Sequence, residues 1–333
     1  MNIQKSALSS NPIISIVIPC YNRGQRLSGI LTEVIKTIPD NLEIILSDDS
    51  TDDDSSSSLL ALSRKFPKAI VYKKNENRIG FSNNLIQGIN LAHGEYLFFL
   101  VDDDSLALEN LVIFIEDIIK NNYHMVVPSF SLEHAKTGTL VVFKLPEIEV
   151  LGHLRHTSGL VIRKELVDEA IKDPLVLNAI DKVPQYPQVP IGLFCSLKFH
   201  MYKYHLTVVQ RSDEGGHDKE GQIRNTGSNW TSDATLPHFS TLTSRVNQIE
   251  TYIEMIDSLI SSEGMQSLPF IELQKRALDE QIYILLEEGV NRNFKEKTVA
   301  TFYKRSAINS IRWFLSKKSP IEILRHVYHR LSR

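Results

Sequence analysis

The sequence has little cysteine, no excess of either charge and no long apolar run, and each absence removes a class of protein. Two cysteines among 333 residues, Cys20 and Cys195, cannot build a disulfide framework, and their separation matches no zinc spacing. A reducing, cytoplasmic setting is the simplest expectation. A net charge of −3 argues against a nucleic-acid partner. No apolar run approaches the ~18 residues of a membrane span. Residues 1–10 lack the basic and apolar regions of a signal peptide, so any membrane contact is expected to be peripheral, on the inner face. The stretch Pro19-Cys-Tyr-Asn-Arg-Gly24 holds a single glycine where a dinucleotide-binding dehydrogenase would carry Gly-x-Gly-x-x-Gly. It also holds no acid, which a phosphorelay receiver would need there.

What is present is alternation. Ile13 to Pro19 is a β-branched run that reads as a strand buried on both faces. Leu27, Ile30, Leu31, Val34, Ile35 and Ile38 then recur at helical spacing up to Pro39. The same reading gives strands at 43–47, 69–73, 95–101 and 125–127, and helices at 56–66, 82–92, 106–120 and 189–200. This order predicts an α/β fold, a mainly parallel sheet flanked by helices, with ligands outside the carboxyl ends of the strands. From about residue 236 the chain turns helical. Leu242, Val246, Ile249, Ile253, Ile256 and Ile260 form a heptad stripe that packs on the chain's own body or makes a homodimer seam through 242–260. Leu278, Ile282 and Leu285 suggest a partner helix. Residues 304–333 carry eight Lys or Arg against one acid, Glu322, interleaved with apolar side chains. Such a tail either lies on an anionic membrane surface or is a helix pair with a solvated basic face. The expected units are 1–130, 131–234 and a helical extension, 235–333.

The run Glu95-Tyr-Leu-Phe-Phe-Leu-Val-Asp-Asp-Asp104 drives three carboxylates to the tip of one apolar strand. Like charges a few ångströms apart repel by ~1 kcal/mol or more per pair, and burial increases the cost. A divalent cation carrying a substrate phosphate would relieve it; an acidic turn ahead of the next helix is the plainer alternative. Two further strands end in polar strings at the same edge, Pro19 to Arg23 and Asp48-Asp-Ser50. Individually these have local explanations: Asp49 or Ser50 as helix caps, Asn22 as a turn residue, Arg78 as a loop charge.

Together the strings Ser15-Ile-Val-Ile-Pro-Cys-Tyr-Asn-Arg23, Asp48-Asp-Ser-Thr-Asp52, Asn77-Arg-Ile-Gly-Phe-Ser-Asn-Asn84 and His93 to Asp104 resemble the successive motifs of family 2 glycosyltransferases with the GT-A fold. The resemblance covers about residues 12–130. Beyond it, Tyr186-Pro-Gln188 and Gln210-Arg-Ser-Asp213 look most like the abequosyltransferase-type branch. The resemblance implies a nucleoside-diphosphate sugar donor, a glycan or lipid-linked acceptor, Mn²⁺ or Mg²⁺, and inversion at the transferred carbon. It implies that Pro19, Tyr21, Asn22 and Arg23 line the nucleoside pocket, that Asp49 takes the base edge, and that Arg78, Asn84, Asp102 and Asp103 also meet the donor. Asp104 and Asp103 would hold the metal, joined by His217. The pattern departs from the family at Val101, where an Asp is usual, and at Asp102, where a small residue is usual. It departs again at Gln188, which stands where a Glu-Asp pair normally supplies the base. Asp181, Asp213 and Glu214 are the remaining base candidates. His156-Thr-Ser-Gly159 resembles an acceptor-site stretch or starts a strand. The missing pair leaves open a catalytically inactive sugar-nucleotide binder or scaffold.

Overall fold

The computed structural model describes residues 12–39, 41–132, 140–145, 149–154, 156–211 and 242–262. Asp213, Glu214, His217, the helix at 278–285 and the tail 304–333 lie outside the described residues.

The first half alternates as the periodicity predicts: β1 (Ile14–Cys20), α1 (Gly24–Thr37), β2 (Leu42–Asp48), α2 (Asp53–Lys65), β3 (Ile70–Lys74), α3 (Phe81–Leu91) and β4 (Tyr96–Phe99). There follow β5 (Ser105–Leu106), α4 (Leu108–Asn121), β6 (Met125–Leu132), β7 (Val142–Lys144), α5 (Val150–Leu154) and β8 (Val161–Arg163). The described chain ends with α6 (Lys164–Ala170), α7 (Pro174–Lys182), α8 (Gln188–Lys198), β9 (Met201–Arg211) and α9 (Leu242–Ser262).

All the described strands belong to one sheet, ordered β3-β2-β1-β4-β8-β6-β9-β5, with β7 also on β9. From β3 to β4 every pairing is parallel, as expected. Beyond β4 the sheet is mixed, because β8 runs antiparallel to both β4 and β6 while β6 and β9 are parallel. The carboxyl ends of β1, β2, β3, β4, β6 and β9 therefore share one edge.

Strand alternation sorts the core into two layers. Ile16, Ile18, Ile44, Leu46 and Phe98 face Leu27 and Leu31 of α1, Leu59 of α2 and Phe114 of α4. Val17, Ile45, Leu97 and Phe99 face α3, α8 and α9 on the other side. Both layers are shielded from solvent, which explains the continuous apolar runs in β1, β2 and β4.

Two elements begin away from their expected positions, each for a local reason. α2 starts at Asp53 because the Asp52 carboxylate accepts from Asp54 N–H, and the acids in that first turn suit the helix dipole. Ser105 and Leu106, expected to open a helix, instead pair with Gln210 and Val209 of β9. The heptad stripe is also resolved. Ile256 and Ile260 are buried, Ile253 packs beside them, and α9 lies on α7 and α8 of its own chain. From Ile253 onward the stripe therefore packs on the chain's own body, the first of the two expected arrangements.

Candidate functional site

At the carboxyl edge, side chains from one strand tip hold the backbone of the next. Asp48 ends β2, with Oδ1 accepting from Ser50 N–H at 2.9 Å and Oδ2 from the Tyr72 hydroxyl at 2.9 Å. Asn22, at the end of β1, takes a left-handed conformation (φ 54°), which Asn tolerates better than most residues. Its Oδ1 accepts from the N–H groups of Thr51 and Asp52, and its own N–H donates to Ser50 Oγ. The β1 and β2 tips thus act as one body. Gly24 completes the joint: its N–H donates to Ser55 Oγ, and a Cβ there would sit 2.0 Å from the Ser55 carbonyl oxygen.

The loop after β4 joins that body through Asp102. Its Oδ2 accepts from Tyr21 N–H at 2.7 Å, and its Oδ1 accepts from Arg23 Nη1 at 2.8 Å. The same Nη1 stands 3.2 Å from Asp103 Oδ2. Burial pushes the Asp102 carboxyl up to about 6, against the pull of Arg23 and with a further rise from Asp103. For Arg23, burial works against the charge, but Asp102, Asp103 and Asp104 outweigh it and raise the guanidinium above its ordinary value. Asp104 is also buried, its N–H turning back to the Val101 carbonyl. Val101 N–H donates to Ser158 Oγ, which fixes the loop to the start of β8. His156 to Gly159 therefore border the acidic loop as well as opening a strand.

Other expected donor contacts hold the edge from beneath. Asp49 is 4% exposed; its Oδ1 accepts from Asn75 Nδ2 and Ile79 N–H, and its Oδ2 from Gly80 N–H. That is three of about four acceptor sites on a carboxylate. Asp49 is the anchor of the 75–80 loop, with Gly80 able to hold φ 81° at the start of α3. Asn84 is buried, with its amide donating to the Cys20 and Ser47 carbonyls and accepting from Ser47 Oγ and Asn75 Nδ2. Its polar atoms are engaged within the protein, where they brace the edge from beneath. Pro19 is likewise inside the sheet, opposite Ser47 of β2. Arg78 does reach the edge, its guanidinium 4.9 Å from the Tyr21 ring.

Sequence reasoning named Gln210 only within a motif string and missed its place beside the acidic loop, where its Oε1 is 3.4 Å from Ser105 Oγ. The β-branched and aromatic run Tyr202 to Val209 was the available signal for β9. Gln188, the first residue of α8, is fully buried and donates Nε2 to the Leu154 carbonyl, while its Oε1 has no hydrogen-bond partner among the described residues. Asp181 is exposed on α7 and makes no hydrogen bond or ion pair among the described residues.

Chemically, the edge offers two hard oxygen-bearing side chains, Asp103 and Asp104, next to one guanidinium. Among the described residues no three His, Cys, Asp or Glu side chains converge so as to hold a metal ion. A Mg²⁺-type cation takes only one or two protein carboxylates and completes its shell with phosphate oxygens and water. The donor set fits that mode and no dedicated protein cage.

Residues 15–155 match the family described as Glycosyl transferase family 2. The abequosyltransferase RfbV of Salmonella typhimurium is 30% identical over 103 residues, 30% of this chain and 31% of that protein. The Escherichia coli UDP-Glc:alpha-D-GlcNAc-diphosphoundecaprenol beta-1,3-glucosyltransferase WfgD is 21% identical over 174 residues, 52% of this chain and 67% of that protein. Matches to the first of these curated relatives span about a third of their length. Among solved structures, S. aureus TarS 1–349 in complex with UDP-GlcNAc superposes with a TM-score of 0.57 at 13% identity, over 89% of this chain and 79% of that one. A mannosyltransferase from Pyrobaculum calidifontis in complex with GDP-Man and Mn²⁺ gives 0.51 at 11% identity, over 97% and 86%. At such identities the likeness is one of fold, the GT-A arrangement.

Proposed function

We propose that the chain, whose residues 15–155 match Glycosyl transferase family 2, moves a sugar from a nucleoside-diphosphate donor to a hydroxyl of a bacterial surface glycan carried on a lipid. The observation that carries this reading is the convergence of the β1, β2 and β4 tips on Arg23, Asp102, Asp103 and Asp104.

In that reading Tyr21 and Arg78 flank the nucleoside, and Asp103 and Asp104 hold a divalent cation. When bound, the cation supplies Lewis-acid stabilisation of charge on the departing diphosphate. Asp102 keeps Arg23 and the Tyr21 backbone in place. An acceptor hydroxyl oxygen attacks the anomeric carbon as the bond to the diphosphate oxygen breaks, inverting the configuration. The hydroxyl proton passes to a carboxylate base, for which Asp181, Asp213 and Glu214 are the candidates. Names of relatives support the acceptor class, since WfgD acts on a diphosphoundecaprenol-linked sugar. Among the described residues no helix is long and apolar enough to cross a membrane. The basic composition of 304–333 supports peripheral contact with the inner face of the membrane.

One observation favours a second reading, a sugar-nucleotide binder without transfer. Gln188, which cannot accept the proton, is buried at the head of α8. Donor turnover with and without Mn²⁺ separates the two. Metal-dependent hydrolysis or transfer supports the enzyme; nucleotide binding with no turnover of any donor supports the binder.

A further inference from the structure

We propose that Arg23 is a placeholder cation, which occupies the acidic loop in the metal-free protein and must release Asp103 for a divalent ion to bind. This rests on the reading of Asp103 and Asp104 as the metal carboxylates.

The geometry is asymmetric. Asp102 is held by two donors, one on each oxygen, and its side chain is 9% exposed. Asp103 is 23% exposed and meets the same Arg23 nitrogen at a longer 3.2 Å. Arg23 can therefore let go of Asp103 while Asp102 retains it. Its backbone is the N-cap position of α1, and Gly24 fixes that helix start against Ser55. Only the side chain needs to move, and at 33% exposure it has an open side.

The charges give the same answer. Three consecutive carboxylates repel one another, and a guanidinium touching the first two offsets that repulsion without any ion. A divalent cation arriving at Asp103 would meet that guanidinium at close range. Metal alone then binds weakly, and a donor diphosphate favours it by drawing Arg23 toward its own oxygens. Arg23 is thus a positioning residue that couples the two binding events.

The test is titration of the full chain with Mn²⁺ alone, following free Mn²⁺ by electron paramagnetic resonance. Arg23→Gln should bind Mn²⁺ ~10-fold more tightly than the unmodified chain. Arg23→Lys, which keeps the charge, should not. Lys74→Gln removes a positive charge from the end of β3, where Lys74 donates to the Ser50 carbonyl, and sets the general electrostatic background. Should Arg23→Gln fold poorly, Arg23→Gln/Asp102→Asn removes the uncompensated carboxylate too, and should bind more tightly than Asp102→Asn alone. Equal affinities for Arg23→Gln and the unmodified chain, both lost on Asp104→Asn, would overturn the placeholder and leave the metal carboxylates standing. A gain matched by Lys74→Gln would overturn it as well. No Mn²⁺ binding by any variant would overturn both readings.

Discussion

At the amino ends of β1, β2 and β4 the fold buries Glu43 completely, and its Oε1 accepts from Ser15 Oγ and His93 N–H, both at 2.6 Å. Nearby, Glu95 pairs with Arg163, whose guanidinium lies over the Tyr96 ring. Each acid there has its own donors. At the carboxyl ends of the same strands, Asp102, Asp103 and Asp104 stand in sequence, and one nitrogen of Arg23 serves two of them. Burial of a carboxylate is therefore not what distinguishes the candidate site. Crowding of acids around a shared cation does, because it leaves a deficit that a ligand can fill.

This contrast can be broken by substitution. Asp104→Asn should cut metal-dependent transfer by ~1000-fold, on the scale of lost transition-state charge stabilisation, while unfolding in urea stays nearly unchanged. Glu43→Ala should do the reverse. It leaves the Ser15 hydroxyl and the His93 N–H without their acceptor and should lower stability by ~2–3 kcal/mol in urea titration, with nucleotide affinity retained in the folded fraction. Gly24→Ala falls between them. Its Cβ meets the Ser55 carbonyl, so ~1–3 kcal/mol of stability should go, and the displaced Arg23 should weaken nucleotide binding in the same sample.

The smallest expected effect is one of pH and lies away from both ends. Burial, then Lys203, pushes the His153 imidazole down to about 4. The unfolded chain protonates this residue near its ordinary ~6.5, before the folded chain does. Stability from His153 is therefore present above that value and lost as pH falls toward about 4. His153→Gln should flatten the stability profile across that window, as read by urea midpoints at successive pH values.

Legibility in the sequence followed the range of the interactions involved. β1 to β4, their intervening helices and α4 could be placed within a few residues, since buried parallel strands read as apolar runs and the helices as period-3.6 patterns. β7 and β8, three residues each, carry no period, and they exist through pairing with β9, β4 and β6. β5 is a strand because of Val209 and Gln210, over a hundred residues away. The site followed the same rule. Its acids and polar strings stood out, but their division of labour did not. That Asp49 anchors a loop depends on Ile79 and Gly80, and that Asp102 is engaged within the protein depends on Arg23, 79 residues earlier.

The most direct measurement is anomalous diffraction from a crystal of the full chain soaked with Mn²⁺ and a nucleoside diphosphate. A manganese peak bonded to Asp104 and to the diphosphate, with Arg23 still on Asp102 and drawn off Asp103, is the expected result. A nucleotide bound with no manganese at these carboxylates, or manganese held elsewhere, would contradict it.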